Sequence, residues 1–266
     1  MKSLCAGIVL LLSSWLLWAE PILLASSDYT PHTGEHLPEG GALTAIVQAA
    51  FDIMGQEVEI HYMPFARAMQ ATRLGQYAGI IGVKYTPERE LDFYFPEPVY
   101  DTSIVFFKRR NQDFDFESYL DLVHLGVRYG SVLGYSHPEG LLETRIRHYQ
   151  VATEEQLFRL LSAGRVDLMA GDKLNGIYLL LHEFPEFSAQ IDWLEPPIET
   201  QPLYLLFSRQ HPKAPELNKA FSAAITQLKH SGELERIKDR LLPSLQQLQQ
   251  SGTSVKPPQA NQSQVQ

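Results

Sequence analysis

Residues 43–62 read LTAIVQAAFDIMGQEVEIHY. Leu43, Ile46, Val47, Ala50, Phe51 and Met54 fall at i, i+3, i+4, i+7, i+8 and i+11, which is one apolar face of a helix. Gly55 supplies its C-terminal cap. From Val58 to Tyr62 the period switches to alternation, the pattern of a strand. Working outward, Ile22 to Ser26 is a short apolar run that reads as a strand, and Asp28 to Gly41 is a Pro- and Gly-rich loop. Downstream, Phe65 to Leu74 reads as a second helix stopped by Gly75. Ala78 to Val83 is a strand apolar enough to be buried on both faces. Strands alternating with helices imply a parallel α/β sheet.

A second series of the same kind follows. His124 to Tyr129 reads as a strand, Leu141 to His148 as a helix, and Glu154 to Ala163 as a helix ended by Gly164. Val166 to Ala170 is a strand, Leu174 to His182 a helix, and Tyr204 to Phe207 a further strand. Leu217, Phe221, Ala224, Ile225 and Leu228 share one helical face, and Leu234, Ile237 and Leu241 another. Past Leu242 the pattern collapses, and residues 246–266, rich in Gln, Ser and Pro, read as a disordered tail.

The whole chain has 266 residues, 44% apolar and 20% charged, a globular composition. Its formal charge of −9 argues against a binder of nucleic-acid phosphates. Residues 1–19 carry Lys2 and then an almost unbroken apolar run of 15 residues, Leu4 to Trp18, too short for a membrane span. This reads as a secretory signal peptide cleaved after Ala19. Cleavage removes one basic residue and the one cysteine, Cys5, so the exported chain carries −10 and no disulfide. Its stability then rests on its core.

Several residues carry candidate chemistry. Thr86-Pro87-Glu88-Arg89 follows a buried strand, with Thr86 suited to cap a helix and Pro87 to its first position. Taken alone, Arg89 reads first as a surface arginine paired with Glu88 or Glu90. Beside a helix N-terminus, it would instead form an anion site. Gly126-Val127-Arg128-Tyr129-Gly130-Ser131 is a strand running into a glycine turn that could approach a carboxylate, or an ordinary strand end. Asp172 follows a strand where α/β sheets bind ligands, and equally suits the N-cap of the next helix. His32-Thr33-Gly34-Glu35-His36 matches a zinc-peptidase pattern. That chemistry needs both histidines on one helical face, and Pro31, Gly34 and Pro38 make this segment a loop. Neither a metal nor an organic cofactor is expected. Aromatic residues including Tyr29, Phe65, Phe95, Tyr129 and Tyr135 gather near these loops, as core or as pocket walls.

Taken in order, these pieces resemble the bacterial extracellular solute-binding proteins of family 3, the polar amino-acid type. The resemblance runs from about Ile22 to Leu242. It rests on Asp28-Tyr29-Thr30-Pro31, Met63-Pro64-Phe65-Ala66-Arg67, Tyr85-Thr86-Pro87-Glu88-Arg89, Pro96-Glu97-Pro98-Val99-Tyr100, Gly126 through Ser131, Ala163 through Leu168, Gly171-Asp172 and His230 through Leu234. It implies a two-lobed α/β fold of the periplasmic-binding-protein type II class, with crossing strands at Ser103 to Lys108 and Pro202 to Ser208. Lobe one would be residues 20–104 plus 206–245, and lobe two 105–205. A ligand would sit between lobes that close by hinge motion.

The resemblance also assigns roles. Arg89 would clamp a ligand carboxylate and Asp172 an ammonium. Phe65, or Tyr29, would stack on the ligand. Arg128 stands at a binding position where many members have a lysine, Gly130 and Ser131 would meet the carboxylate through backbone and hydroxyl, and Gly82 and Lys84 would line the site. Lys84 stands where the family usually has a threonine. With Arg89 and Arg128 it suits a ligand with an extra carboxylate. The implied function is capture of an amino acid or related carboxylate in the periplasm, by a monomer, for the membrane subunits of an ABC importer. A dehydratase on the same scaffold, or a sensing partner of a membrane receptor, are the alternatives.

Overall fold

The computed structural model describes residues 20–243. The signal-peptide and tail readings lie outside these residues. In chain order the elements are β1 (Ile22–Ser26), α1 (Ala42–Ile53), β2 (Val58–Tyr62), α2 (Phe65–Arg73), β3 (Gly79–Lys84), β4 (Phe93–Tyr94), β5 (Tyr100–Arg109), α3 (Tyr119–His124) and β6 (Arg128–Val132). There follow β7 (Arg147–Val151), α4 (Glu154–Ser162), β8 (Leu168–Asp172), α5 (Lys173–Tyr178), α6 (Pro185–Ser188), β9 (Ile191–Trp193), β10 (Glu199–Ser208), α7 (Ala214–Ser231) and α8 (Glu233–Leu241).

The strands run β2-β1-β3-β10-β5-β8-β6-β7 across one continuous order. Parallel βα units form both flanks: β2 and β3 pair parallel with β1, and β7 and β8 pair parallel with β6. Between them lie two antiparallel strands of ten residues each, β5 and β10. Each at ~3.3 Å per residue is long enough to belong to both flanks. Tyr100 to Ile104 of β5 pairs with Glu199 to Leu203 of β10. Beyond that seam, β5 continues along β8 and β10 along β3. The crossing segments therefore begin three residues earlier in each strand than the resemblance suggested.

Each flank has its own core. The apolar face of α1 packs with Phe221 and Ile225 of α7 and with Ile237 of α8 over Leu24, Ile81 and Phe207. On β5 the neighbours Phe106 and Phe107 enter different clusters on opposite faces, as strand alternation demands. Phe107 packs with Leu157 and Phe158 of α4. No helix among the described residues is long and apolar enough to cross a membrane.

Three local readings change. Residues 141–148 are not a helix: a short 3-10 turn at Leu142–Thr144 is stopped by Arg145 at φ 59, and β7 then adds to the edge of β6. Pairing with a neighbouring strand overrides the local pattern. The strand expected from His124 begins at Arg128, after α3 and a left-handed Gly126 at φ 72. Thr86-Pro87 opens a five-residue 3-10 turn, Pro87–Leu91, in which Thr86 makes no side-chain cap. The helix N-terminus that was to assist Arg89 is absent there.

Candidate functional site

The C-terminal ends of β1, β3, β6 and β8 face one cleft, the position where α/β sheets place ligands. It encloses about 840 Å³ of empty space, its open mouth included. Tyr29, Phe65, Gly82, Lys84 and Arg89 line it from the first flank; Ser131, Tyr135, Glu154 and Asp172 line it from the second. Glu199 and Gln201 of the crossing strand β10 line the space between them.

A bulge shapes the first wall. Tyr204 and Leu205 of β10 pair with Val83 and Ile81, so Gly82 is skipped. It adopts φ 84, which glycine tolerates without strain. Ile80 and Val83, three apart, consequently enter the same apolar cluster. The bulge resets the alternation just before Lys84 enters the cleft.

Arg89 is buried, 8% exposed. Its Nη1 donates to the Lys84 carbonyl at 2.5 Å and its Nη2 donates across the cleft to the Gly134 carbonyl at 3.0 Å. Its guanidinium lies 5.8 Å from the centre of the Phe65 ring. None of the ion pairs among the described residues involves Arg89. Burial lowers its pKa to about 10, with Glu88 opposing and Arg73 adding to the shift. A buried guanidinium without a carboxylate is costly unless something else compensates it.

Asp172, 3% exposed, is the last residue of β8 and caps α5, accepting from the Asn175 amide at 2.8 Å. It thus caps a helix and lines the cleft at once. His32 from the first flank reaches the same oxygen, Oδ1, at 3.3 Å. Because the carboxylate only accepts, Nε2 of His32 donates, and in a neutral ring Nδ1 accepts from the Tyr100 hydroxyl at 2.9 Å. The other oxygen, Oδ2, is buried without a partner. Burial pushes the Asp172 carboxyl up, but His32, Lys84 and the Asn175 amide outweigh it and hold it below the ordinary range.

Glu154, the first residue of α4, accepts from the Tyr135 hydroxyl at 3.0 Å. Burial raises its pKa to about 7, against the lowering effects of Tyr135 and Lys84. The Tyr135 ring meets Phe65 of the opposite wall edge-on at 5.4 Å. Burial lowers the Lys84 pKa, Arg89 adds to this, and Asp172, Glu199 and Glu154 oppose it. Ser131 Oγ lies 2.8 Å from Nε2 of His148, whose pKa burial lowers.

The structure thus gathers Arg89, Asp172, Phe65, Tyr29, Gly82, Lys84 and Ser131 around one space. It does not bring Arg128 or Gly130 there. Arg128 forks onto Asp167, donating from Nε and Nη2 at 2.7 Å each, at the opposite end of the strands. Gly130 lies under the core of its flank, where an added Cβ would meet Leu157 Cδ1 at 2.5 Å. The pairing of Lys84, Arg89 and Arg128 for an extra carboxylate therefore fails on position. Tyr135 reads in the sequence only as core or pocket wall, and His32, Glu154 and Glu199 escaped the sequence reading. His32 stood only in the discounted zinc pattern, and nothing local marks the others.

The chain matches the family model for bacterial extracellular solute-binding proteins, family 3, over residues 27–244. It belongs to that family. An arginine-binding periplasmic protein of Mannheimia haemolytica is 24% identical over 230 residues, 84% of this chain and 91% of that protein. Among solved structures, an ancestral arginine-binding protein bound to arginine superposes with a TM-score of 0.69 at 18% identity, covering 84% of this chain and 98% of its own. A histidine kinase sensor domain similar to periplasmic binding proteins does so with a TM-score of 0.69 at 19% identity, covering 84% and 96%. The fold is the type II periplasmic-binding-protein architecture, and the protein has the solute-binding role of its family, toward a small polar ligand.

Proposed function

We propose that this protein captures an amino acid in the cleft, its carboxylate on Arg89 and its ammonium on Asp172, and closes on it to deliver it to an ABC importer in the membrane. The observation that carries this reading is a complementary deficit. One wall buries a guanidinium with no carboxylate, and the opposite wall buries a carboxylate with an unpartnered oxygen. A zwitterion supplies both missing partners at once. Phe65 and Tyr29 offer ring faces to the solute between them, and Ser131, held by His148, offers a hydroxyl. Residues 20–104 with 206–245 would move as one body and 105–205 as the other, hinged on β5 and β10. Because the two ionic contacts come from different walls, they form together only when the walls approach. That differential binding is what shifts an open–closed equilibrium.

Export by the segment 1–19 would place the protein in the periplasm as a monomer. Titration calorimetry of the purified protein against the amino acids tests the reading. One or a few should bind with micromolar or better affinity, and Arg89→Ala should abolish that binding. Unchanged binding in Arg89→Ala would remove the carboxylate clamp from the account.

A further inference from the structure

We propose that the cleft selects solutes bearing a second cationic group, and that Glu154 is the carboxylate that receives it. This rests on the amino-acid reading above and adds the charge class of the ligand. The first argument is charge balance. Lys84 and Arg89 face three carboxyl groups in the cleft, Asp172, Glu154 and Glu199. A simple zwitterion uses Arg89 and Asp172 and brings no net charge, which leaves Lys84 against two carboxyls. None of the ion pairs among the described residues joins Lys84 to either. A ligand of net charge +1 restores the balance, whereas an acidic one worsens it.

The second argument is placement. Glu154 opens a helix pinned by Thr153, whose hydroxyl accepts from the Gln156 amide, and by the buried Leu157 and Phe158 one turn on. The carboxyl is thereby held at the cleft wall. Its one hydrogen bond among the described residues is the Tyr135 hydroxyl on Oε1, and it forms no ion pair there. Tyr29, Phe65 and Tyr135 line the same space, and aromatic faces favour a cation over an anion. Asp172 Oδ2, buried and unpartnered, takes the α-ammonium, which leaves Glu154 for the second cation.

The arrangement couples binding to a proton. The groups that face Glu154 are Tyr135 and Tyr29, Asp172 and Glu183, and Lys84. Burial, with Glu183 and Asp172, keeps Glu154 about half protonated near pH 7. A cation at its carboxyl stabilises the ionised form, so the proton leaves to solvent as the ligand binds.

Calorimetry at pH 7 with L-arginine, L-lysine and L-ornithine against L-citrulline, L-glutamine and L-glutamate tests this, in buffers of different ionisation enthalpy. At least one basic amino acid should bind tenfold or more tighter than citrulline and glutamine, releasing about half a proton. Glu154→Gln should cut that preference at least tenfold and abolish the release. Equal or tighter binding of the neutral or acidic compounds, or a preference that survives Glu154→Gln, overturns the proposal but leaves the amino-acid reading standing. Failure of every amino acid to bind overturns both. Should Glu154→Gln not fold, Tyr135→Phe removes the bond that lowers the same carboxyl. Proton release should then rise above wild type, and an unchanged value overturns the proposal.

Discussion

The two ends of β8 carry aspartates five residues apart in opposite circumstances. At the N-terminal end, Asp167 accepts from Arg128 through Nε, Nη2 and the backbone amide and from Arg109 Nη2 at 2.9 Å. Burial alone would raise its pKa, but Arg128 and Arg109 hold it at about 2. Every charge there is answered within the chain. At the C-terminal end, Asp172 leaves Oδ2 unanswered, Arg89 has no carboxylate, and Glu154 is held near pKa 7. One end of the strand pairs its charges within the chain, and the other buries groups that lack such partners among the described residues. Both kinds of arginine looked alike in the sequence, and only their surroundings separate Arg89 from Arg128.

Substitutions should divide along this line. The largest effect is expected from Arg89→Ala, which should weaken ligand binding at least 100-fold, ~2.8 kcal/mol at about 1.4 kcal/mol per tenfold. Its melting temperature should not fall, since the lost group is an uncompensated buried charge. A binding loss matched by a large drop in melting temperature would put Arg89 with the structural end.

Gly130→Ala is expected next. Its Cβ would meet Leu157 Cδ1 at 2.5 Å and Val166 Cγ1 at 2.8 Å. Overpacking of this kind costs ~1–3 kcal/mol. Denaturant unfolding should show that loss while calorimetry shows affinity within threefold of wild type. A selective loss of affinity would return Gly130 to the ligand site.

Asp167→Asn should lower stability by about 1–2 kcal/mol at neutral pH, discounted for partial exposure of the arginines. Because the folded pKa lies below the unfolded one, this contribution is complete above about pH 4 and disappears as the pH falls through 2. The variant and wild type should therefore converge in acid, and ligand affinity should not change.

Glu154→Gln should shift stability in the other direction. Its folded pKa of about 7 lies above the unfolded value, so stability present at pH 4 is lost as the pH rises through 7. The variant should be the more stable by about 1 kcal/mol above pH 7, read from melting temperatures across pH. A variant less stable at pH 8 would show that Glu154 has a partner after all.

These contrasts also explain what the sequence could yield. The face of α1 and those of α7 and α8 repeat at helical spacing, and they bury the residues the period picks out, Met54 and Leu241 only in part. Arg89 and Asp172 stand in motifs whose order along the chain is readable. Residues 141–151 resisted because an edge strand takes its conformation from β6 and carries little apolar alternation. The bulge at Gly82 depends on register with β10, over 120 residues away. His32 meets Asp172 across 140 residues, and no local spacing encodes that contact. Fold was legible where one element's own period decides it. The site was legible only in part, because its electrostatics arise where two distant walls meet.

In the proposed complex a solute bridges Arg89 and Asp172 across the cleft. Thermal unfolding of wild type, Arg89→Ala and Asp172→Asn, each with the wild type's preferred amino acid at 100 times the wild-type dissociation constant, tests it most directly. The wild type should gain about 2.7 kcal/mol of stability, and each variant should gain little or nothing. A full gain in either variant would contradict the bridge.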